Sequence, residues 1–399
     1  MRFLKKERVA LNTYYDKLRS APIDEKLINI YQQDSEIVYT GIVQYLSDKD
    51  FILMTFNDYG IQDGEVYLKI DSVQKVETDS YDLANMKDRI AFDEKNDLAN
   101  KTEFNMPFNI SDSIFDKLVA HVKQNKQMVL IVTEKAKKMQ YHEGIITDFD
   151  HDEVTFSIVD KFNFTHKNQT KIKNDDISAI EFGGTELNLL EQILPTIIAD
   201  NHVDDEYLTR DHKDKFAAVI KHAELKNQMI IIDTNDDRKY FYVGKAIASN
   251  DNELVMMVID MNGHFGGYVW MRYDNVYRIV TESDYLFVMR RFVNYNKATK
   301  EFTLPVLNAD RAFDDNDNIL MEILLPSIKF KKLLRLQLTS GKSIMGYPLG
   351  FETRTGILTF EMIDLDDEND DIVRKIGIES IREMAFDYFK SFLLENNID

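Results

Sequence analysis

Short apolar runs separated by polar turns recur along this chain in one fixed order, and glycine marks that order. Gly41, Gly144, Gly244 and Gly346 stand 103, 100 and 102 residues apart. Each lies inside an apolar segment: Val38-Tyr39-Thr40-Gly41-Ile42-Val43, Tyr141-His142-Glu143-Gly144-Ile145-Ile146, Phe241-Tyr242-Val243-Gly244-Lys245-Ala246 and Ser343-Ile344-Met345-Gly346-Tyr347. A β-rich run precedes each glycine, at 27–31, 128–132, 229–232 and 334–338, and a second apolar run follows a polar turn, at 51–56, 154–159, 254–259 and 357–363. That second run ends in an acid each time, Asp58, Asp160, Asp260 and Asp364, at offsets of 17, 16, 16 and 18 from the glycine. A last segment closes each unit: Leu68-Lys69-Ile70-Asp71-Ser72-Val73, Ile172-Lys173-Asn174-Asp175-Asp176-Ile177, Met271-Arg272-Tyr273-Asp274-Asn275-Val276 and Ile376-Gly377-Ile378-Glu379-Ser380-Ile381. Such segments read as strand, tight turn, strand.

Helical spacing separates the copies. Phe115 and Phe216, Val119 and Ile220, His121 and His222, and Gln127 and Gln228 stay in register across the second and third copies, which places a helix just before the first strand. A second helix is expected after the last strand, near Tyr81, Tyr285 and Tyr388. The repeating unit is therefore about 100 residues long, a helix, four or five antiparallel strands and a helix. The expected fold is α+β, with four tandem repeats at 1–82, 83–186, 187–285 and 286–399. A strand that bends sharply needs a residue without Cβ, so the recurring glycines read as structural corners. The first twenty residues form a further amphipathic pattern through Phe3, Leu4, Leu11, Tyr14, Tyr15 and Leu18 with a basic face, the mark of a packed first helix or of a contact with a membrane or acidic partner.

A leading helix, a bent glycine-containing strand and a closing apolar pair together resemble the Sm-like and SH3-like small β-barrels, over about half of each copy. The resemblance implies a closed antiparallel barrel in every repeat. The RNA-contacting positions of the Sm family do not carry over. Only the second copy keeps the Asp six residues after the glycine, as Asp150; Phe51, Val154, Leu254 and Gly356 stand where the family has Asn; and no closing strand holds an Arg-Gly pair.

Composition narrows the classes without choosing a function. The 399 residues hold 49 Lys and Arg against 69 Asp and Glu, a net charge of −20, with 44% hydrophobic residues and no cysteine. A folded chain with ample core material is expected, and disorder, disulfides and Cys-based metal or nucleophile chemistry are excluded. No apolar stretch reaches the roughly 20 residues that cross a bilayer, and residues 1–20 lack an export signal, so a cytoplasmic location is expected.

Chemistry-bearing motifs are few. Ser340-Gly341-Lys342-Ser343 resembles the end of a phosphate loop, but Leu336 stands where that loop needs Gly, and the context is a hairpin. The acidic runs 364–371 and 310–317 lack the Gly and bidentate Glu of a calcium loop and read as solvated loops. His202, His212 and His222 are ten residues apart, which is not a ligand spacing within one helix. The four recurrent acids suit turn chemistry, or else a repeated contact site. One locally basic region stands out, where Tyr268, the only Trp (Trp270) and Arg272 share one face of a strand and Arg290 and Arg291 follow. Alternation leaves two readings open there, an interaction patch or core.

No cofactor, metal site or catalytic constellation is expected. The function expected is a non-enzymatic binding or scaffolding protein with another protein as its partner. RNA binding by a pseudo-oligomer is the alternative, opposed by the negative charge, and an acidic nucleic-acid mimic is the third.

Overall fold

The computed structural model describes residues 18, 26–33, 35–98, 113–135, 138–166, 168–198, 202–234, 241–314, 318–363 and 372–398. The chain divides into two compact units, Met1–His202 and Val203–Ile398.

The first unit runs β1 (Leu27–Gln32), β2 (Val38–Leu46), β3 (Asp50–Phe56), β4 (Gln62–Lys69), β5 (Val73–Glu77), α1 (Tyr81–Asn96) and α2 (Ile114–Asn125). It continues through β6 (Met128–Lys135), β7 (Lys138–Phe149), β8 (Glu153–Ile158), β9 (Gln169–Lys173), β10 (Ile177–Phe182) and α3 (Thr185–Ile198). All ten strands join one antiparallel sheet in the order β5-β1-β2-β3-β4-β10-β6-β7-β8-β9, which is one five-strand order written twice.

The second unit opens with β11 (Glu206–Thr209), α4 (Phe216–Leu225), β12 (Met229–Asp233), β13 (Phe241–Ser249), β14 (Glu253–Ile259), β15 (Phe265–Arg272), β16 (Arg278–Glu282) and α5 (Asp284–Thr299). It closes with α6 (Ile319–Phe330), β17 (Leu334–Leu338), β18 (Ser343–Glu352), β19 (Ile357–Met362), β20 (Val373–Gly377), β21 (Ile381–Phe386) and α7 (Phe389–Glu395). Its order, β11-β16-β12-β13-β14-β15-β21-β17-β18-β19-β20, repeats the same scheme with one additional strand.

This architecture corrects the expected four closed barrels in an α+β fold. The protein is mostly β, built on two large antiparallel sheets. A closed barrel satisfies its strand edges internally. Here β4 instead pairs with β10, from Leu68 opposite Ala179 to Glu65 opposite Phe182, and β15 pairs with β21, from Tyr268 opposite Phe386 to Met271 opposite Glu383. The cores cross the same seams. Ile52 and Tyr67 pack in one cluster with Ile114, Leu118, Val129 and Phe156, and Trp270 and Tyr268 pack with Leu320, Leu336 and Phe360. The later half of each sheet therefore shares its core with the earlier half, while one further cluster, running from Phe216 through Met256 to Ile279, lies wholly within the earlier half of the second sheet.

The glycine ruler has a geometric cause. A Cβ on Gly41 would lie 2.0 Å from the Met54 carbonyl oxygen, and on Gly144, Gly244 and Gly346 it would lie 2.1, 1.9 and 1.9 Å from the carbonyls of Ser157, Met257 and Glu361. No side chain fits at that approach. A register shift follows a few residues later in every case, between Val43 and Tyr45, Ile146 and Asp148, Ala246 and Ala248, and Pro348 and Gly350, so each glycine stands beside a bulge that bends its strand.

A second period links the two units. Gly60, Gly64 and Ser80 recur as Gly263, Gly267 and Ser283, 203 residues on (263 − 60). Ser80 and Ser283 cap α1 and α5 by accepting from the N–H groups of Leu83 and Leu286 at 3.2 and 3.1 Å. Gly60 and Gly263 have φ of 79° and 77°, and a Cβ there would lie 2.6 Å from Arg89 of α1 and 2.5 Å from Phe292 of α5. Each helix thus lies directly on the turn of the sheet it covers.

Candidate functional site

The residues singled out in the sequence scatter when they are placed. Tyr268 and Trp270 are core residues, with Trp270 0% exposed. Burial pushes the Tyr268 phenol up to about 12, while its oxygen accepts from the Arg311 N–H at 3.1 Å. Arg272 lies 5.5 Å from the centre of the Trp270 ring and donates to the Ile378 carbonyl at 3.1 Å. On α5, Arg290 pairs with Glu282 at 2.7 Å, and Arg291 covers the Phe287 ring at 5.1 Å. These five side chains form no common surface, because the two aromatics that would anchor a patch face inward.

The recurrent acids are occupied locally. Asp160 Oδ1 accepts from the N–H groups of Phe162 and Asn163, and Asp260 Oδ1 from those of Asn262 and His264, at 2.8–3.1 Å. In the first copy that role belongs to Asn57, which accepts from Tyr59 and Ile61, whereas Asp58 offers its backbone carbonyl to Arg89 at 2.8 Å. Asp364 and the acidic run 364–371 lie outside the described residues, as does most of the segment 1–20. Asp150 closes its own turn by accepting from Asp152 and Glu153, as Ser47 and Asn250 do at the matching positions. Ser340 to Ser343 span the turn between β17 and β18. Among the described residues no three His, Asp or Glu side chains gather as a metal site would require, and no helix is long and apolar enough to cross a membrane.

What the structure does assemble is a groove of about 940 Å³ in the second unit. One wall is α6, through Met321, Glu322, Leu325, Pro326 and Phe330; the others are the segment 306–313, which has no regular secondary structure, and α7, through Ser391, Phe392 and Glu395. Asn318 caps α6 by accepting from the Met321 N–H at 3.3 Å, and Ile319, Leu320, Ile323, Leu324 and Ser327 hold its inner face in the core. Pro326 has no N–H to give the carbonyl four residues earlier. That carbonyl, of Glu322, accepts from Arg311 Nη2 at 3.2 Å instead, and Arg311 Nη1 pairs with Asp387 at 2.7 Å. The guanidinium also lies over Phe313 and Phe386, at 5.0 and 4.9 Å from the ring centres. Arg311 therefore ties the segment 306–313 to α6 and to the end of β21. At the far end Lys332 pairs with Glu395 at 2.7 Å, while the other oxygen of Glu395 accepts from the Leu333 N–H at 2.8 Å. The groove has a fixed polar frame around an apolar interior.

The first unit provides an internal reference for this surface. Its α2 matches α6 in length, in a capped start at Ser113 and in a left-handed end at Lys126, where α6 has Asn318 and Lys331. The inward positions match as well: Ile114, Phe115, Leu118, Val119 and Val122 are buried as their counterparts in α6 are. The outward positions differ. Asp116, Ala120 and Asn125 of α2 correspond to Met321, Leu325 and Phe330 of α6, and Leu325 and Phe330 are 58% and 62% exposed. On one scaffold, only one of two equivalent helices carries an apolar outer stripe.

A buried carboxyl that sequence reasoning missed lies in β4 of the first unit. Glu65 is 3% exposed, its Oε1 has no hydrogen-bond partner, and burial pushes its pKa up to about 7. It sits opposite Phe182 at the seam, and nothing in the sequence of its strand, which also carries Gln62, Asp63 and Lys69, sets it apart as the buried acid.

No family model matches the chain, and no curated protein sequence matches it. Among solved structures, the four MBT repeats of Drosophila melanogaster Sfmbt, in complex with a peptide carrying a methylated lysine, align over 93% of this chain and 89% of that one at 8% identity. The TM-score of that alignment is 0.11, so it establishes no common fold and nothing is transferred from it.

Proposed function

We propose that this chain is a non-enzymatic binding and scaffolding protein that holds another protein in the groove between α6 and α7. The observation that carries the proposal is the outer stripe of α6. Exposed Leu and Phe are unremarkable singly, but Met321, Leu325 and Phe330 line one concave site with Phe392, whereas the equivalent helix of the first unit presents Asp, Ala and Asn. An apolar groove framed by satisfied ion pairs suits a polypeptide segment with an apolar face. A phosphate-rich ligand suits it poorly, because the chain carries a net charge of −20 and the groove's Arg311 and Lys332 are already paired with carboxylates.

Affinity capture from a nuclease-treated native lysate tests this reading. Immobilised full-length protein should retain a stoichiometric polypeptide, and the Leu325→Asp/Phe330→Ser variant should retain about tenfold less of it, the scale expected when a buried anchor is lost. Identical retention by both proteins sinks the assignment of the groove.

A further inference from the structure

The outward face of α6 is complementary to itself. Glu322 and Lys329 lie seven residues apart, two turns of helix, so they fall on one line, with Leu325 between them and Met321 and Phe330 on the flanks. These pairs share a midpoint. Both Glu322 with Lys329 and Met321 with Phe330 are centred between Leu325 and Pro326. Two such helices laid antiparallel about a two-fold axis through that midpoint place each Glu322 against Lys329 of the second copy. The same rotation brings the two Leu325 side chains together.

We infer that the protein occupying the groove is a second copy of this chain, docked α6 against α6 about a two-fold axis. The inference rests on the docking role proposed above and names the partner. Charge complementarity supports it. Among the described residues Glu322 has no ion partner, its oxygens accepting only from the Asp314 N–H at 3.0 and 3.2 Å. Lys329 has none either and lies over the Phe330 ring at 5.0 Å. The surroundings extend the same polarity, with exposed Asp310 and Asp314 near the start of α6 and exposed Lys331 at its end. An antiparallel partner therefore meets opposite charge at both ends. A two-fold contact uses one patch twice and closes on itself. The matching patch is absent from α2, which carries Lys117 and Gln124 at the positions of Glu322 and Lys329, so association stops at two copies.

The net charge of −20 on each copy opposes association, but that repulsion is screened over about 8 Å at physiological ionic strength, while the contact pairs act at close range. One twelve-residue helix and the rim of a groove make a small interface. A micromolar dimer is the scale that such an area supports.

Analytical ultracentrifugation of the full-length purified chain, from about 1 to 200 µM, brackets that scale. The wild type should show a concentration-dependent monomer–dimer equilibrium. Leu325→Asp, Glu322→Lys and Lys329→Glu should each raise the dissociation constant about tenfold or more while leaving the circular dichroism unchanged, since all three side chains face outward. An equimolar mixture of Glu322→Lys and Lys329→Glu should dimerise again, because each substituted charge then meets its opposite. A wild type that stays monomeric throughout, a dimer that all three variants leave intact, or folded variants whose mixture does not re-form the dimer would each overturn the inference. If the chain is monomeric and Leu325→Asp still loses polypeptides captured from lysate, the groove holds a different protein and the proposed function stands without this partner. If the variants change neither association nor capture, both readings fall.

Discussion

Glu65 shows what one residue in a sheet seam can do to the whole unit. Its folded pKa of about 7 lies above the ordinary value of 4.5 because burial disfavours the carboxylate. A raised acid binds its proton more tightly in the folded state, so its contribution is fully present below about pH 4.5 and is lost as the pH rises through 7. The expected loss is on the order of 3 kcal/mol across that window. Urea unfolding at pH 5 and pH 8 should show wild type less stable at pH 8, and Glu65→Gln should reduce that difference by most of this amount. An unchanged pH dependence in the variant would remove Glu65 as its source. Residue-scale chemistry was only partly legible beforehand. The glycine spacing is visible because a carbonyl two ångströms from a would-be Cβ admits no other residue. Asp58 was misplaced by one position, because Asn and Asp perform the same turn chemistry and only the hydrogen bonds show that Asn57 does it.

At the scale of elements, each seam between sheet halves carries the same hydrogen bond. Tyr39 donates to Glu181 in the first unit and Tyr242 to Glu383 in the second, both at 2.7 Å. Each Tyr stands two residues before its ruler glycine. Burial holds both phenols protonated, well above their ordinary range, and raises the Glu181 carboxyl as well. Tyr242→Phe should cost about 1–3 kcal/mol, since it leaves a largely buried carboxyl with one donor fewer. Hydrogen exchange should place the lost protection in β13 and β21, and uniform loss across both units would argue against a local seam role. Strand identity was readable from alternation, but strand partnership was not. A fourth strand shows the same pattern of apolar residues whether its outer edge meets its own barrel or a neighbour's last strand. Trp270 was undecidable for a related reason: β15 is buried at five consecutive positions, 267–271, so a period of two no longer separates a core face from a surface. The α6 stripe was legible in principle, as a helix apolar on both sides beside a one-sided homologue, but recognising it required aligning α2 with α6.

For the whole molecule, the period that governs folding is about twice the glycine spacing, because a complete sheet needs two copies. Residues 203–398 expressed alone should unfold in one cooperative transition, while 203–304 should not, since β15 would lose its pairing with β21 and Trp270 its cover from Leu320 and Leu336. A cooperative melt of 203–304 with Trp270 fluorescence unchanged would contradict this.

The place of β10 between β4 and β6 also sets a timetable. A ribosome making this chain releases β4 well before its neighbour exists, since 108 residues separate Lys69 from Ile177 (177 − 69). At typical elongation rates that interval lasts on the order of ten seconds, and β15 waits about as long for β21. During each interval a nascent strand offers an unclaimed row of amides and carbonyls to any other strand nearby. Polysomes carrying chains arrested just short of β10 or β21 are therefore the stage at which this protein most needs a chaperone.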